Sequence, residues 1–174
     1  SLLMIAENNS TVGSEEVTEK IDLVNYQLKQ LLTFDRLDSF NLDLNFEEID
    51  LADCLKKVIQ QNTSFFLSHQ VVPKLRIPSV KIVTDSKWLT VVLEQIIVNA
   101  VKYSNKNGVV QISFNNDTLT ITDHGIGITK SDLPRVFEQG FTGGNGRTHG
   151  EATGMGLYMI QKIAAILDIK VSIA

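Results

Sequence analysis

Apolar side chains recur at helical spacing in the first forty residues. Five of them alternate at intervals of four and three residues: Val17, Ile21, Val24, Leu28 and Leu31. This heptad seam predicts that residues 14–38 form a helix which packs against a second helix. Residues 1–9 share the helical pattern and are followed by the turn-forming stretch 8–14, so we predict a helical hairpin. A single amphipathic helix against a core is the alternative interpretation.

From residue 44 onward, short segments with strand character alternate with longer segments of helical periodicity. The strand-like segments are FEEID (46–50), VVPKLRI (71–77), KIVTD (81–85), VVQISFN (109–115), TLTIT (118–122) and KVSIA (170–174). The helical segments begin after Asp50, run over about Ser86–Tyr103 and run over about Met155–Leu167. VVQISFN and TLTIT flank Asn115, Asn116 and Asp117, which predicts an antiparallel hairpin. The mixture predicts an α/β (α+β) two-layer sandwich, with a mixed sheet and three helices on one face, preceded by the helical hairpin.

Composition narrows the class of protein. Hydrophobic residues make up 43% of the sequence, as is ordinary for a globular protein. The formal charge is −4, so the sequence does not indicate the basic surface that binds nucleic acid. Cys54 is the only cysteine, so no disulfide forms within the chain. No apolar run reaches the roughly 20 residues that span a bilayer. The sequence begins within an apolar helical pattern and ends within a strand-like one, so we expect it to be a fragment of a larger protein.

Polar side chains interrupt the most apolar helical segment at regular intervals. In EQIIVNAVKYS (94–104), Gln95, Asn99 and Lys102 occupy positions i, i+4 and i+7 and therefore share one helix face. The rest of the segment is mostly apolar, as expected for a helix that is buried on most of its surface. A polar row on such a helix is unusual and requires an explanation, although an isolated Asn is more often a structural group than a metal ligand.

Glycine is concentrated in the last third of the sequence. Seven of the eleven glycines lie within residues 140–156, and this segment ends at the predicted start of a helix. Segments of this kind often bind anions through backbone amides, and a surface loop is the alternative. Two pairs of glycines are each separated by one residue. Gly154 and Gly156 end this segment, and Gly125 and Gly127 directly follow a predicted strand, in DHGIGI (123–128). Neither pair has the strand–GxGxxG–helix order of a dinucleotide-binding fold, and no GxxxxGK[ST] P-loop is present.

Four motifs occur together in a specific order. They are EQIIVNAVKYS (94–104), DHGIGI (123–128), RVFEQGF (135–141) and TGMGL (153–157). These resemble the N box, the first glycine motif, the phenylalanine box and the second glycine motif of the catalytic domain of bacterial sensor histidine kinases. That domain belongs to the ATPase superfamily that also contains gyrase, Hsp90 and MutL. The resemblance covers residues 45–174 and implies a sandwich of the Bergerat type.

The resemblance implies a site for ATP and Mg²⁺. It assigns catalytic roles to Gln95, Asn99 and Lys102, with the Asn99 amide oxygen on the metal and the Lys102 ammonium against phosphate oxygens. In the same interpretation, the Asp123 carboxylate accepts a hydrogen bond from the adenine amino group. The other residues that the resemblance places beside the nucleotide are Tyr103, Gly125, Gly127, Arg147, Thr153, Gly154, Gly156 and Leu157.

The residue four positions before the metal-binding Asn differs between branches of the superfamily. In the hydrolysing members it is a glutamate that activates water, whereas here it is Gln95, which is not a base near neutral pH. Glu94 lies one residue away, about 100° round the helix. The resemblance therefore implies a pocket that holds ATP for transfer. The alternatives are a superfamily ATPase that performs mechanical work and a non-enzymatic dimerisation or regulator-docking module.

The resemblance also assigns domains and partners. Residues 1–44 are expected to belong to the dimerisation and phosphotransfer domain, and residues 45–174 to be the ATP-binding catalytic domain. The acceptor motif H-[ED]-x-x-x-P is absent, and the three histidines, His69, His124 and His149, are not credible acceptors. We therefore expect a homodimer, formed through the hairpin, in which the γ-phosphoryl group passes to a histidine outside this sequence and then to a response regulator.

The cellular location follows from the same resemblance. The parent protein is expected at the cell membrane, with this part of it on the cytoplasmic side and its membrane segments outside the given sequence. Nucleic acid is not expected as a partner. The motif spellings, together with residues 131–136, are most similar to the small intramembrane-sensing kinases of low-GC Gram-positive bacteria.

Overall fold

The computed structural model describes residues 17, 20, 21, 24–37, 43–144 and 153–173. The chain divides into two compact units, Ser1–Ser39 and Phe40–Ala174. In the first unit, residues 24–37 form helix α1, which confirms the helical periodicity over that stretch. The predicted first helix of the hairpin and the turn after it lie outside the described residues.

The apolar seam of the first unit is exposed to solvent. Its residues are all more than half exposed: Val17, Ile21, Val24, Leu28 and Leu31. Leu32, which neighbours the seam on α1, is also 56% exposed. Contiguous exposed apolar side chains of this kind are characteristic of surfaces that bind another protein.

The second unit contains strands and helices in the mixed order that the sequence predicts. They are β1 (Phe46–Asp50), α2 (Leu51–Gln61), α3 (Thr63–Ser68), β2 (Val72–Arg76), β3 (Lys81–Asp85), α4 (Ser86–Tyr103), β4 (Val109–Asn115), β5 (Thr118–Thr122) and α5 (Gly156–Ile166). A 3-10 turn, Leu133–Arg135, lies between β5 and α5. The short helix α3, which follows α2 directly, was not predicted as a separate element.

Two helices begin at aspartate caps. The Asp50 carboxylate accepts hydrogen bonds from the backbone N–H groups of Ala52, at 2.8 Å, and Asp53, at 3.2 Å. The Asp85 carboxylate accepts from the N–H of Trp88 at 3.0 Å, one turn into α4. Each bond satisfies a donor that the first turn of a helix leaves unpaired. The cap predicted at Asp50 is confirmed.

The Asp50 carboxylate also ties α2 to the segment before β3. The Ser79 hydroxyl donates a hydrogen bond to it, and the Lys81 ammonium lies 3.7 Å away. The Ser79 hydrogen bond, with further help from the two cap bonds and Lys81, holds the pKa of Asp50 below its ordinary value of 3.8. Because its pKa is lowered in the folded state, Asp50 stabilises the fold above pH 3.8, and this contribution is lost as the pH falls through the folded pKa.

The Asp50→Ala variant is therefore expected to melt several degrees below wild type at pH 7, because it loses the cap and the Ser79 contact. The difference between the two proteins should shrink as the pH falls below 4. Thermal melts between pH 7 and pH 3 measure this. Asp53→Ala is the matched control, since Asp53 is exposed and its side chain forms a solvent-exposed ion pair with Lys56 at 3.0 Å. A difference that stays constant with pH would contradict the role given to Asp50.

The strands form a mixed sheet and a separate antiparallel ladder. In the mixed sheet, β4 pairs in parallel with β2 and antiparallel with β5. The ladder pairs β1 with β3 in antiparallel register, from Phe46 opposite Asp85 to Asp50 opposite Lys81. Strand β2 is an edge of the mixed sheet, and Pro73 within it has no N–H to donate to a further neighbour.

The predicted hairpin is confirmed and the predicted last strand is wrong. Asn116 and Asp117, with φ of 48° and 57°, form the two-residue turn between β4 and β5, and positive φ at both positions suits the twist of a hairpin. After α5, Asp168 is in the left-handed region with φ of 54°. Residues 170–173 form no strand, because no described strand pairs with them and an extended segment needs a ladder to satisfy its backbone.

Helix α4 lies at the centre of the helical layer. It packs between α2 and α5 and also contacts β1, β3, β4 and β5. The largest fully buried side chains come from all of these layers and include Leu55, Leu93, Ile97, Val101, Val110, Ile112 and Ile163. The core therefore holds α4 in place from both layers. The three predicted helices are present as α2, α4 and α5, and the short α3 is an additional one. No helix in the described part of the chain is long and apolar enough to cross a membrane.

Candidate functional site

The polar row on α4 runs from the interior toward an accessible surface. The Gln95 side chain is only 4% exposed, whereas Asn99 and Lys102 are half-buried. The Lys102 ammonium lies 5.7 Å from the ring centroid of Tyr103, the last residue of α4, which is also half-buried. Partial burial of an amide and an ammonium on one helix face is the arrangement of a cleft, because a solvent-facing stripe would be exposed along its length.

The two amides of the row contact each other. Nε2 of Gln95 donates a hydrogen bond to Oδ1 of Asn99 at 3.2 Å. An amide oxygen has two lone pairs, so this bond leaves one on Asn99 for a further partner. Gly156, the first residue of α5, lies against the other side of the Gln95 amide, because a methyl group on Gly156 would be 2.8 Å from Cδ of Gln95.

The first glycine motif is attached to the C-terminal end of α4. The backbone N–H of Ile126 donates to the carbonyl of Tyr103 at 3.1 Å. A methyl group on Gly125 would overlap that carbonyl oxygen and lie 2.6 Å from its carbon. Gly125 is therefore required by contact with the helix end, a reason that the sequence did not show. Gly127 differs, since no atom lies near the place of its Cβ and its φ of 65° is what favours glycine.

Asp123 follows β5 directly and is fixed by the same turn. Its Oδ1 accepts a hydrogen bond from the N–H of Gly125 at 2.9 Å, and the side chain is half-buried. One carboxylate oxygen is thus engaged within the loop, and Oδ2 has no hydrogen-bond partner among the described contacts. Asn105, which sequence reasoning missed, donates to the carbonyl of His124 at 2.7 Å, while the His124 side chain is exposed.

A backbone hydrogen bond links the two ends of the glycine-rich segment. The N–H of Gly140 donates to the carbonyl of Gly154 at 3.0 Å, and both glycines have positive φ, 73° and 67°. A methyl group on Gly154 would lie 2.7 Å from the Gly140 oxygen. Thr153 is exposed, and its hydroxyl accepts from the N–H of Met155 at 3.3 Å. Leu157 is half-buried, and the predicted contact Arg147 lies outside the described residues.

Further contacts hold the chain that leads into the glycine-rich segment. Oδ2 of Asp132 accepts a hydrogen bond from the N–H of Gly144 at 3.4 Å. The Arg135 guanidinium lies 4.5 Å from the ring centroid of Phe141, a cation–π contact. Val136, in the same stretch, is buried. The sequence carried no local signal for the Asp132 and Arg135 contacts, because each joins residues in an irregular segment.

The donor set suits a cation that arrives with phosphate groups. Within the described part of the chain, no three His, Cys, Asp or Glu side chains come together as a metal site. Mg²⁺ keeps several waters and takes few protein ligands when phosphates share its coordination, so one half-buried amide oxygen at Asn99 fits that ion. The Lys102 ammonium, three residues along the same face, is placed to neutralise phosphate oxygens.

Most predicted site residues are therefore brought together around the C-terminal half of α4. Gln95, which donates to Asn99, meets the second glycine motif at Gly156, and Tyr103 meets the first glycine motif at Gly125. Residues 95 and 103 are eight positions apart, so a little over two turns of helix, about 12 Å, separate the two contacts. Both glycine loops thus flank a single half-buried polar row.

Comparison with known proteins identifies the family. Residues 84–174, more than half of the chain, match the family model described as histidine kinase-, DNA gyrase B-, and HSP90-like ATPase. The chain is 35% identical to the sensor histidine kinase YxdK of Bacillus subtilis over 99% of this chain and 54% of that protein. It is 33% identical to the sensor protein BceS of Halalkalibacterium halodurans over 83% of this chain and 45% of that protein.

The fold agrees with these sequence relationships. The crystal structure of full-length ShkA in complex with AMPPNP superposes with a TM-score of 0.66 at 21% identity, over 84% of this chain and 31% of that one. This similarity confirms the Bergerat-type sandwich that the motifs implied. The chain spans about half the length of the curated relatives it matches. It belongs to the family of histidine kinase-, DNA gyrase B-, and HSP90-like ATPases.

Proposed function

We propose that this chain is the ATP-binding catalytic part of a two-component sensor histidine kinase and that it prepares ATP for transfer of its γ-phosphoryl group. The observation that carries this proposal is the buried, neutral Gln95 amide beside Asn99, in a domain of the ATPase family. The sensor-kinase names of YxdK and BceS support it.

Nucleotide binding in this proposal begins at Asp123. Its Oδ2 is available to accept a hydrogen bond from the adenine amino group, while Oδ1 is held by Gly125. The half-buried ring of Tyr103 packs beside the nucleotide, and the open surface at Gly127 admits it. The start of α5, at Gly154 and Gly156, presents backbone amides and the positive end of a helix dipole to the phosphates.

The phosphate groups extend along the polar row of α4. Lys102 would neutralise part of their charge, and the Asn99 oxygen would hold the cation, which would supply further neutralisation of phosphate charge. Arg147 and Thr153 are further contacts of this proposal. Positioning and charge neutralisation supply most of the catalysis in phosphoryl transfer, so no protein nucleophile is needed in the pocket.

The pocket lacks the base that hydrolysis would need at the position beside Asn99. Gln95 donates through Nε2 to the Asn99 oxygen and does not take up a proton near neutral pH. A water beside the γ-phosphate is therefore not activated from this position. ATP that is bound but hydrolysed slowly remains available for a histidine acceptor, which favours a kinase over an ATPase that performs mechanical work.

The acceptor histidine, the partners and the location belong to the same proposal. His69 follows α3, with its ring 4.2 Å from that of Phe65, and is held by its contacts with that helix. We propose that the acceptor lies outside this sequence and that a response regulator receives the phosphoryl group from it. The exposed apolar seam on and before α1 supports a homodimer, and we assign residues 1–44 to the dimerisation domain. We also place the parent protein at the membrane, with this part of it in the cytoplasm. The similarity to BceS supports the intramembrane-sensing subgroup.

Incubation with γ-labelled ATP and Mg²⁺ tests the proposal. The chain alone is expected to acquire no acid-labile phosphate and to release inorganic phosphate slowly. The histidine-bearing dimerisation domain of a related sensor kinase, supplied in trans, should acquire acid-labile label that depends on Asn99. Steady hydrolysis that is abolished in Gln95→Ala would instead identify an ATPase, and label on this chain would show that the acceptor was misplaced.

A further inference from the structure

The Gln95 side chain is the most buried member of the polar row and touches two parts of the site. It is 4% exposed, and its Nε2 donates to Oδ1 of Asn99 at 3.2 Å. Side-chain amides of Asn rotate with little preference about their last torsion, so an isolated Asn99 would present either its oxygen or its nitrogen to the cleft. The hydrogen bond from Gln95 therefore fixes the orientation of the Asn99 side-chain amide.

The opposite side of the Gln95 amide faces the start of α5. A methyl group on Gly156 would overlap Nε2 of Gln95 and would lie 2.8 Å from its Cδ and 3.3 Å from its Oε1. All three of these atoms belong to one side chain, so the contact at that position is with Gln95. The absence of a side chain at residue 156 therefore makes room for the Gln95 amide. This is a second reason for a glycine there, besides letting phosphate groups approach the backbone.

A glutamine at this place can make a contact with Asn99 that a glutamate cannot. The Gln95 amide is a donor, and it leaves the second lone pair of the Asn99 oxygen free for a cation. A carboxylate at residue 95, the group that the hydrolysing members carry there, has no proton to donate near neutral pH and so could not make this hydrogen bond to the Asn99 oxygen.

We propose that Gln95 is a positioning residue: held between Asn99 and Gly156, it directs the Asn99 oxygen toward the cation of a metal–nucleotide complex. The inference rests on the proposed function, because it concerns the same ATP site. Gly156 then contributes to the metal site indirectly, because it leaves space for the Gln95 amide. Changes at either residue should therefore lower the affinity for Mg·ATP more than the affinity for ATP without Mg²⁺.

Calorimetric titration of the Gln95→Met variant with ATP, with and without Mg²⁺, separates positioning from packing. Met has nearly the same shape and no donor, so we expect the affinity for Mg·ATP to fall about tenfold. The affinity for ATP in EDTA should change by less than about twofold. Equal losses in both titrations, or no loss in either, would overturn the proposal. If Gln95→Met does not fold, Gln95→Leu also removes the donor without adding charge and is expected to show a larger loss for Mg·ATP than for ATP in EDTA.

The same contact can be tested from its other side with Gly156→Ala. The added methyl displaces the Gln95 amide, so this variant should show the same magnesium-dependent loss. In a Gln95→Ala background the amide is gone, and Gly156→Ala should change the Mg·ATP affinity by less than about twofold. A loss of equal size in both backgrounds would show that Gly156 acts on the nucleotide directly and would overturn the proposal. Wild-type protein that binds no ATP at all would instead refute the proposed function.

Discussion

Replacing Asp123 by Asn is expected to lower the affinity for ATP by about 100-fold or more, since a buried polar group left without its partner costs about 1–3 kcal/mol and a charged one costs more. The Asn oxygen would keep the hydrogen bond that Asp123 accepts from the N–H of Gly125, which is 2.9 Å long in the wild type. Its NH₂ group would then face the adenine amino group, so that two donors meet where the wild type pairs a donor with an acceptor.

Asp117→Asn is the matched control for this variant. It makes the same chemical change at an exposed turn, at the opposite end of β5 from Asp123. Calorimetry should give wild-type affinity for this control, and both variants should melt close to wild type. An unchanged ATP affinity in Asp123→Asn would remove Asp123 from the site.

The Gly125→Ala variant is expected to lose about 3 kcal/mol of unfolding free energy, because its methyl group would overlap the Tyr103 carbonyl and overpacking against a fixed backbone is costly. Neither the helix end nor the loop can move easily, since the N–H of Ile126 bonds to the same carbonyl. Urea denaturation measures the loss.

Gly127→Ala separates this clash from backbone strain. Gly127 has φ of 65° and no atom near the place of its Cβ, so Ala costs only the left-handed conformation, about 1 kcal/mol. We expect Gly125→Ala to be the less stable of the two. If the two variants were equally stable, the contact between the first glycine motif and α4 would not have the importance given to it here.

The sequence predicted features that depend on neighbouring residues. Helix α4 has the predicted bounds, Ser86–Tyr103, because its apolar periodicity and the cap at Asp85 are both local. The turn at Asn116 and Asp117 follows from two residues that tolerate positive φ. The placement of Gln95 and Asn99 on one face is a consequence of helix geometry alone.

Features that join distant residues were not predictable in the same way. The Gly125 contact with Tyr103 and the hydrogen bond between Gly140 and Gly154 each depend on how separate segments meet. The strand predicted over residues 170–174 failed for a related reason: a strand-like composition forms no strand without a ladder partner. The motif order gave the family, whereas the reason for each glycine needed the fold.

Titration of the wild-type chain with ATP and with GTP, each with Mg²⁺, tests the central claim most directly. The Asp123 carboxylate can accept from the amino group of adenine and would oppose the carbonyl oxygen of guanine at the same place. The account predicts one ATP bound per chain and much weaker binding of GTP. No binding of ATP, or equal binding of both nucleotides, would contradict it.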